Sequence, residues 1–213
     1  SGSGNNAHPT ADSMRIGLFG GTFDPIHNGH LLVADAARER VHLDTVIFIP
    51  AGRPWLKAGR DISESEHRLV MLELAVGGYP AFEVAKIELD RPGPTYTVDT
   101  LEQMRRELGP EDELFLILGM DSLRELDRWQ RPARLFELCT VLGVSRPGYE
   151  DVALSWLDEV AAGASRRVEL FRGPLVSVSG SEIRGMVSMG QPAGSFVPKP
   201  VEAYILEHGL YRC

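Results

Sequence analysis

The chain has 213 residues, 43% of them hydrophobic and 24% charged, with a formal net charge of −8. This suits one globular domain with a substantial core and argues against broad nucleic-acid binding, which calls for a clustered basic surface. No apolar run approaches the roughly 20 residues of a membrane span. Cys139 and Cys213 are the only cysteines, so neither a disulfide framework nor a zinc site is supported, and a reducing cytoplasm is the expected compartment.

Residues 1–13 open Ser1-Gly2-Ser3-Gly4-Asn5-Asn6, with neither a basic start nor an apolar h-region. They read as a tag or disordered tail, with Met14 a natural start and residues 14–213 the folded domain. The first strand is Ile16–Phe19, followed by Gly20-Gly21-Thr22-Phe23-Asp24-Pro25-Ile26-His27-Asn28-Gly29-His30 and a helix over Leu31–Arg40. Glycines at the end of a buried strand let a nucleotide approach the backbone, and the N–H groups of the following helix terminus favour an anion. His27 and His30 lie three residues apart around that terminus, so both imidazoles can face one phosphate.

Further strands are expected at Val46–Ile49, Phe82–Leu89, Leu114–Leu118, Thr140–Val144 and Val168–Phe171. Between them Glu64–Val76, Val98–Leu108, Pro132–Leu138 and a stretch near Val152–Ala162 read as helices, and Pro198–Ile205 as a last one opened by proline. This alternation predicts an α/β fold, a Rossmann-like doubly wound parallel sheet with helices on both faces. Ligands in such sheets bind beyond the carboxyl ends of the strands, near the reversal of strand order. The glycine turn and the Gly119-Met120-Asp121 turn both sit at such ends and can share a crevice. Near the C-terminus, Ser179 and Glu182 have capping-box spacing in Val178-Ser179-Gly180-Ser181-Glu182-Ile183-Arg184. That is a second helix start able to hold phosphate oxygens, with a hydroxyl at Ser181 and a fixed charge at Arg184.

These motifs give the chain a resemblance to the bacterial nicotinate-nucleotide adenylyltransferases. It rests on residues 20–30, Ile49–Pro54, Glu66-His67-Arg68, Pro94-Thr95-Tyr96-Thr97-Val98-Asp99-Thr100-Leu101, Leu118–Leu123, Trp129, Val144–Gly148 and Ser179–Arg184. The Pro94–Leu101 segment with Trp129 selects this branch of the nucleotidyltransferases. Two positions depart from the family pattern. Arg53-Pro54-Trp55-Leu56-Lys57 stands where many members carry Pro-Pro-His-Lys, and Gly180 takes the place of a hydroxyl residue.

The resemblance implies adenylyl transfer from ATP to nicotinate mononucleotide, giving nicotinate adenine dinucleotide and pyrophosphate in NAD biosynthesis. It implies catalytic roles for His27, His30 and Arg184, and an ATP site that adds Gly20, Gly21, Thr22, Phe23, Gly119, Asp121, Arg146, Ser179 and Ser181. For Asp121, acceptance of ribose hydrogen bonds and an N-cap role weigh equally. Asp24, Lys57, Arg68, Tyr96, Thr97 and Trp129 are implied for the acceptor, with Trp129 stacked on the pyridine ring and Tyr96 and Thr97 donating to its carboxylate. Mg²⁺ is expected to ride on the triphosphate with no dedicated protein metal site. No nucleic-acid or membrane partner is implied, and a homo-oligomer stays open. The remaining alternatives are a dual-specificity or nicotinamide-mononucleotide enzyme and a non-catalytic nucleotide-binding module.

Overall fold

A computed structural model describes residues 13–52, 61–145, 153–175 and 178–212. Six strands, β1 (Arg15–Gly21), β2 (Thr45–Pro50), β3 (Phe82–Val84), β4 (Glu113–Gly119), β5 (Thr140–Ser145) and β6 (Val168–Arg172), form a sheet in the order β3-β2-β1-β4-β5-β6. Every pairing is parallel. The chain therefore winds outward from β1 to one edge, returns, and winds from β4 to the other, the doubly wound order expected from the alternating pattern. The apolar runs of β1 and β4 are those of strands buried on both faces, as Leu18, Leu116 and Ile117 are.

Among the described residues, eight α-helices connect and cover the strands: α1 (Asn28–Val41), α2 (Ser65–Val76), α3 (Thr97–Glu107), α4 (Met120–Arg124), α5 (Pro132–Leu138), α6 (Leu157–Val160), α7 (Gly180–Ser188) and α8 (Lys199–Glu207). One face of the sheet is packed by α1, α2, α7 and α8 through Leu31, Ala34, Met71, Leu72, Ile183 and Val201. The other is packed by α3, α4, α5 and α6 through Val98, Leu101, Leu123, Leu135 and Leu157. None of the described helices is long and apolar enough to cross a membrane.

Two expected elements come out shorter. The third strand stops at Val84 rather than running to Leu89, because β3 is an edge strand whose register with β2 covers only Phe82, Glu83 and Val84. Beyond it the chain folds into a turn closed by Asp90 N–H donating to the Lys86 carbonyl at 2.9 Å. The helix expected near Val152–Ala162 is confined to α6, and residues 151 and 152 lie outside the described region, as do residues 1–12 of the expected tail.

Candidate active site

The carboxyl ends of β1 and β4, adjacent in the sheet at the reversal of strand order, open into three chambers that share residues. The first, about 200 Å³, is lined by Gly20, Gly21 and Thr22 after β1, by Tyr96, Thr97 and Val98 at the start of α3, and by Trp129 and Glu88. The second, about 500 Å³, is lined by His27 and His30, by Gly119 and Asp121 after β4, and by Ser179 and Gly180 at the start of α7. The third is bordered by Thr22, Asp24, His30, Ser181 and Arg184. Ser122 faces the first two, Gly21 and Thr22 the first and third, and His30 and Gly180 the second and third, so the three form one crevice.

The two histidines are organised by the start of α1. His27 is its N-cap, in extended backbone conformation, and its N–H donates to His30 Nδ1 at 3.2 Å. A neutral His30 that accepts at Nδ1 carries its proton on Nε2. The two rings stack with centroids 3.7 Å apart and planes 25° apart. His27 is 7% exposed, and burial lowers its pKa to about 4 against a smaller opposing pull from Glu182. It is therefore neutral at pH 7. Among the described residues its Nδ1 is buried without a hydrogen-bond partner, an uncommon state for a buried polar atom.

Phe23 holds the glycine turn from beneath. Its backbone lies at a φ of 50°, and its ring packs edge-on to Phe19 and His30 with centroids 5.8 and 5.0 Å away. With 2% exposure, this side chain supports the turn from the core. A side chain on Gly21 would meet the Phe23 ring at 3.0 Å, which is why the second position of the turn is glycine.

Asp24 and Arg68 are brought beneath the same turn. Asp24 is 6% exposed and Arg68 2%. The Asp24 carboxylate accepts from the Tyr211 hydroxyl at 2.6 Å and from the Ser63 N–H at 3.0 Å. Arg68 donates to the Thr22 carbonyl at 2.9 Å and to the Ser63 carbonyl at 3.0 Å. Burial lowers the Arg68 pKa, with Asp24 the largest influence holding it up. Arg184 reaches from α7 to donate to the Asp24 carbonyl at 2.7 Å and to the Ser181 hydroxyl at 3.3 Å.

The capping box of α7 is formed in both directions. Ser179 N–H donates to Glu182 at 2.7 Å, and Glu182 N–H to the Ser179 hydroxyl at 3.2 Å. At Gly180 a Cβ would come within 3.1 Å of the Asp24 carbonyl oxygen, so the missing side chain lets α7 close on the glycine turn. Asp121 lies one residue inside α4, whose N-cap is Gly119, and its side chain is exposed to the second chamber.

At the first chamber, α3 begins with Tyr96 as N-cap and no side chain capping its amides. Trp129 ends the turn that follows α4, and its Nε1–H is buried without a partner among the described residues. Glu88, on the chamber wall, is buried and accepts from the Thr100 hydroxyl at 2.9 Å. Desolvation raises its pKa, with Thr100, Thr95 and Arg91 working the other way. Lys57 and Arg146 lie outside the described residues.

The fold thus gathers the other implied residues at one crevice, with Arg68 turned under the glycine turn. Glu88, Ser122 and Tyr211 join the site without being singled out in the sequence. Glu88 sits in a stretch that reads as strand, Ser122 in a helix start, and Tyr211 is 187 residues from its partner Asp24.

A family model described as cytidylyltransferase-like matches residues 18–186. A Thermus thermophilus protein named "probable nicotinate-nucleotide adenylyltransferase" is 48% identical over 199 residues, covering 93% of this chain and all of that one. A Dehalococcoides mccartyi protein of the same name is 43% identical over 200 residues, covering 94% of this chain and 98% of its own. In fold, the chain is similar to the nicotinic acid mononucleotide adenylyltransferase of Plasmodium falciparum solved in complex with NaAD, with a TM-score of 0.74, 20% identity, and coverage of 93% of this chain and 97% of that one. The family-model match over most of the chain, together with near-full-length relatives at this identity, means that the chain belongs to the nicotinate-nucleotide adenylyltransferase family.

Proposed function

We propose that this chain transfers the adenylyl group of ATP to nicotinate mononucleotide, forming nicotinate adenine dinucleotide and releasing pyrophosphate. The observation that carries the reading is the meeting of two unlike chambers at Ser122, the first of them walled by the Gly20–Thr22 turn. One offers an aromatic wall and uncapped helix amides, the other a pair of stacked histidines between two helix starts. In-line transfer needs this layout. A 5′-phosphate oxygen of the acceptor attacks the α-phosphorus from one side, and the bond to the pyrophosphate oxygen breaks on the other.

In the first chamber the pyridinium ring stacks on Trp129, whose face attracts a cationic heterocycle. The first amides of α3, at Thr97 and Val98, meet the nicotinate carboxylate, because a helix N-terminus without a side-chain cap favours an anion. In the second chamber, His30 lines the wall that faces the phosphates. His27, neutral while the site is empty, gains a proton as the triphosphate arrives, since nearby negative charge favours the imidazolium. Both then stabilise charge that grows on the α-phosphoryl group and on departing pyrophosphate. Arg184, Ser181 and the α7 amides form the opposite clamp. Arg68, committed to two backbone carbonyls, braces the turn rather than touching the phosphates.

Among the described residues no three His, Cys, Asp or Glu side chains converge to hold a metal. A Mg²⁺ carried in on the triphosphate would find the exposed Asp121 carboxylate on the wall of the second chamber. Bound in this way, Mg²⁺ neutralises phosphate charge.

The test offers the protein Mg-ATP with nicotinate mononucleotide, nicotinamide mononucleotide or phosphopantetheine separately and follows dinucleotide and pyrophosphate by chromatography. Turnover of the nicotinate acceptor well above the other two is the expected result. Equal use of the amide would make the enzyme dual-specific, and no product with any acceptor would overturn the assignment.

A further inference from the structure

We infer that Tyr211 is a positioning residue of this active site, acting through the buried Asp24 carboxylate to hold the glycine turn in the conformation that receives the triphosphate. The inference rests on the adenylyl-transfer reading above. Tyr211 is not among the residues that face the three chambers, so whatever it contributes must pass through another group.

That group is Asp24. Its side chain lies almost wholly inside the protein, where a carboxylate needs donors to offset lost hydration. Two donors come from distant parts of the chain: the Tyr211 hydroxyl at 2.6 Å after the last helix, and the Ser63 N–H at 3.0 Å just before α2. The Asp24 carbonyl takes a third, from Arg184 of α7 at 2.7 Å. The residue between the glycine turn and the His27–His30 pair is thereby fixed from three directions. Charge-assisted hydrogen bonds of this length are the strong kind.

The C-terminal segment is shaped for the task. Helix α8 is capped at His208, Gly209 follows at a φ of 60°, and the Leu210 N–H returns to the Ile205 carbonyl at 3.0 Å, a helix stop that reverses the chain. Tyr211 follows with a φ of 64°, a left-handed conformation that a bulky side chain rarely adopts. It persists where surrounding contacts over-determine it. The ring packs against the core cluster that contains Phe19 and Phe23. Burial and the bond to Asp24 raise the hydroxyl's pKa well above that of a free tyrosine, so it remains a proton donor across the working range.

The test compares wild type, Y211F, D24N and the double variant. Phenylalanine keeps the ring and removes only the hydroxyl. Mg-ATP affinity is read by calorimetry, kcat and KM by dinucleotide formation, and folding by thermal melt, with activity normalised to folded protein. Y211F is expected to weaken Mg-ATP binding by about fivefold and lower kcat by about tenfold, the scale of one lost bond to a charged group. KM for nicotinate mononucleotide should stay within about twofold, since Trp129 and the α3 amides do not depend on Asp24. In the D24N background, removing the hydroxyl should add less than about twofold, because its target has been altered.

Y211F with wild-type Mg-ATP affinity and kcat, whatever its melting temperature, overturns the inference and leaves a merely structural tyrosine. Full multiplicative losses in the double variant overturn it as well. A wild-type chain that binds Mg-ATP but makes no dinucleotide removes the reaction assignment alone, and the affinity ratio of wild type to Y211F still decides the role of Tyr211.

Discussion

At the scale of single residues, the proposed reaction rests on a histidine pair whose members are held differently. His30 is oriented by the His27 N–H, and His27 is kept neutral by burial, with its pKa lowered to about 4. A neutral imidazole beside an empty phosphate site costs less than a buried charge, and the ligand itself supplies the reason to protonate. Calorimetry of Mg-ATP binding near pH 6.5 in buffers of different ionisation enthalpy should therefore show proton uptake that disappears in H27A. Binding without proton exchange in wild type would mean that His27 stays neutral in the complex. Turnover in H27A should fall by roughly 10²–10³-fold, the usual loss for a donor aimed at transition-state charge, with a much smaller change in ATP affinity. Trp129 predicts the opposite signature. W129A should raise KM for the nicotinate acceptor by about 3–30-fold, the range of a cation–π contact, with KM for ATP little changed, whereas W129F should recover most of the loss. If both KM values rise together in W129A, the tryptophan is holding the crevice and not the ring.

At the scale of elements, the site is made by helix starts and turns clamped against one another, and its glycines mark the contacts. A side chain at Gly52 would fall on the Glu88 carbonyl and press on Thr95, both of which line the first chamber, where Glu88 also accepts from the Thr100 hydroxyl. G52A should cost about 1–3 kcal/mol of stability, as overpacking does, and raise KM for the acceptor more than for ATP. A variant with unchanged acceptor KM would show that the Glu88 segment yields freely. This scale also separates what was legible in the sequence from what was not. The strand–glycine turn–helix unit and the Ser179–Glu182 capping box could be read because their partners lie within a few residues, and local spacing carries the geometry. The short β3 could not, because Phe82–Leu89 has strand-like composition throughout and only its position at the sheet edge stops pairing after Val84. Glu88 and Tyr211 were illegible for a related reason. Each is a polar residue whose meaning depends on a partner from another element: Thr100 in α3 for the first, and Asp24 after β1 for the second. Phe23 sits inside the motif, yet motif spacing gave no sign that its ring would turn into the core.

For the whole molecule, the buried histidine couples folding to pH, and the sign follows from where the proton prefers to bind. Above pH 6.5 His27 is neutral in both folded and unfolded chains and contributes no slope. As pH falls from 6.5 towards 4, the unfolded chain takes up a proton that the folded chain refuses, so stability declines across that window by about 3 kcal/mol. Glu88 works in the other direction. Desolvation raises its folded pKa, so the folded chain protonates first and gains stability as pH falls through that raised value towards 4.5. Asp112 and Asp158, lowered chiefly by backbone amide donors, contribute only at more acid pH, where their protonation removes those bonds. Between pH 6.5 and 5 His27 adds a positive slope, reduced by whatever Glu88 returns. Urea midpoints measured at half-unit intervals from pH 7.5 to 4.5 should fall steadily for wild type and be flat or rise slightly for H27A over the same range. An H27A curve with the wild-type slope would place the acid sensitivity elsewhere. Saturating Mg-ATP should move the wild-type decline to lower pH, since the bound triphosphate raises the His27 pKa in the folded state and lets it take the same proton.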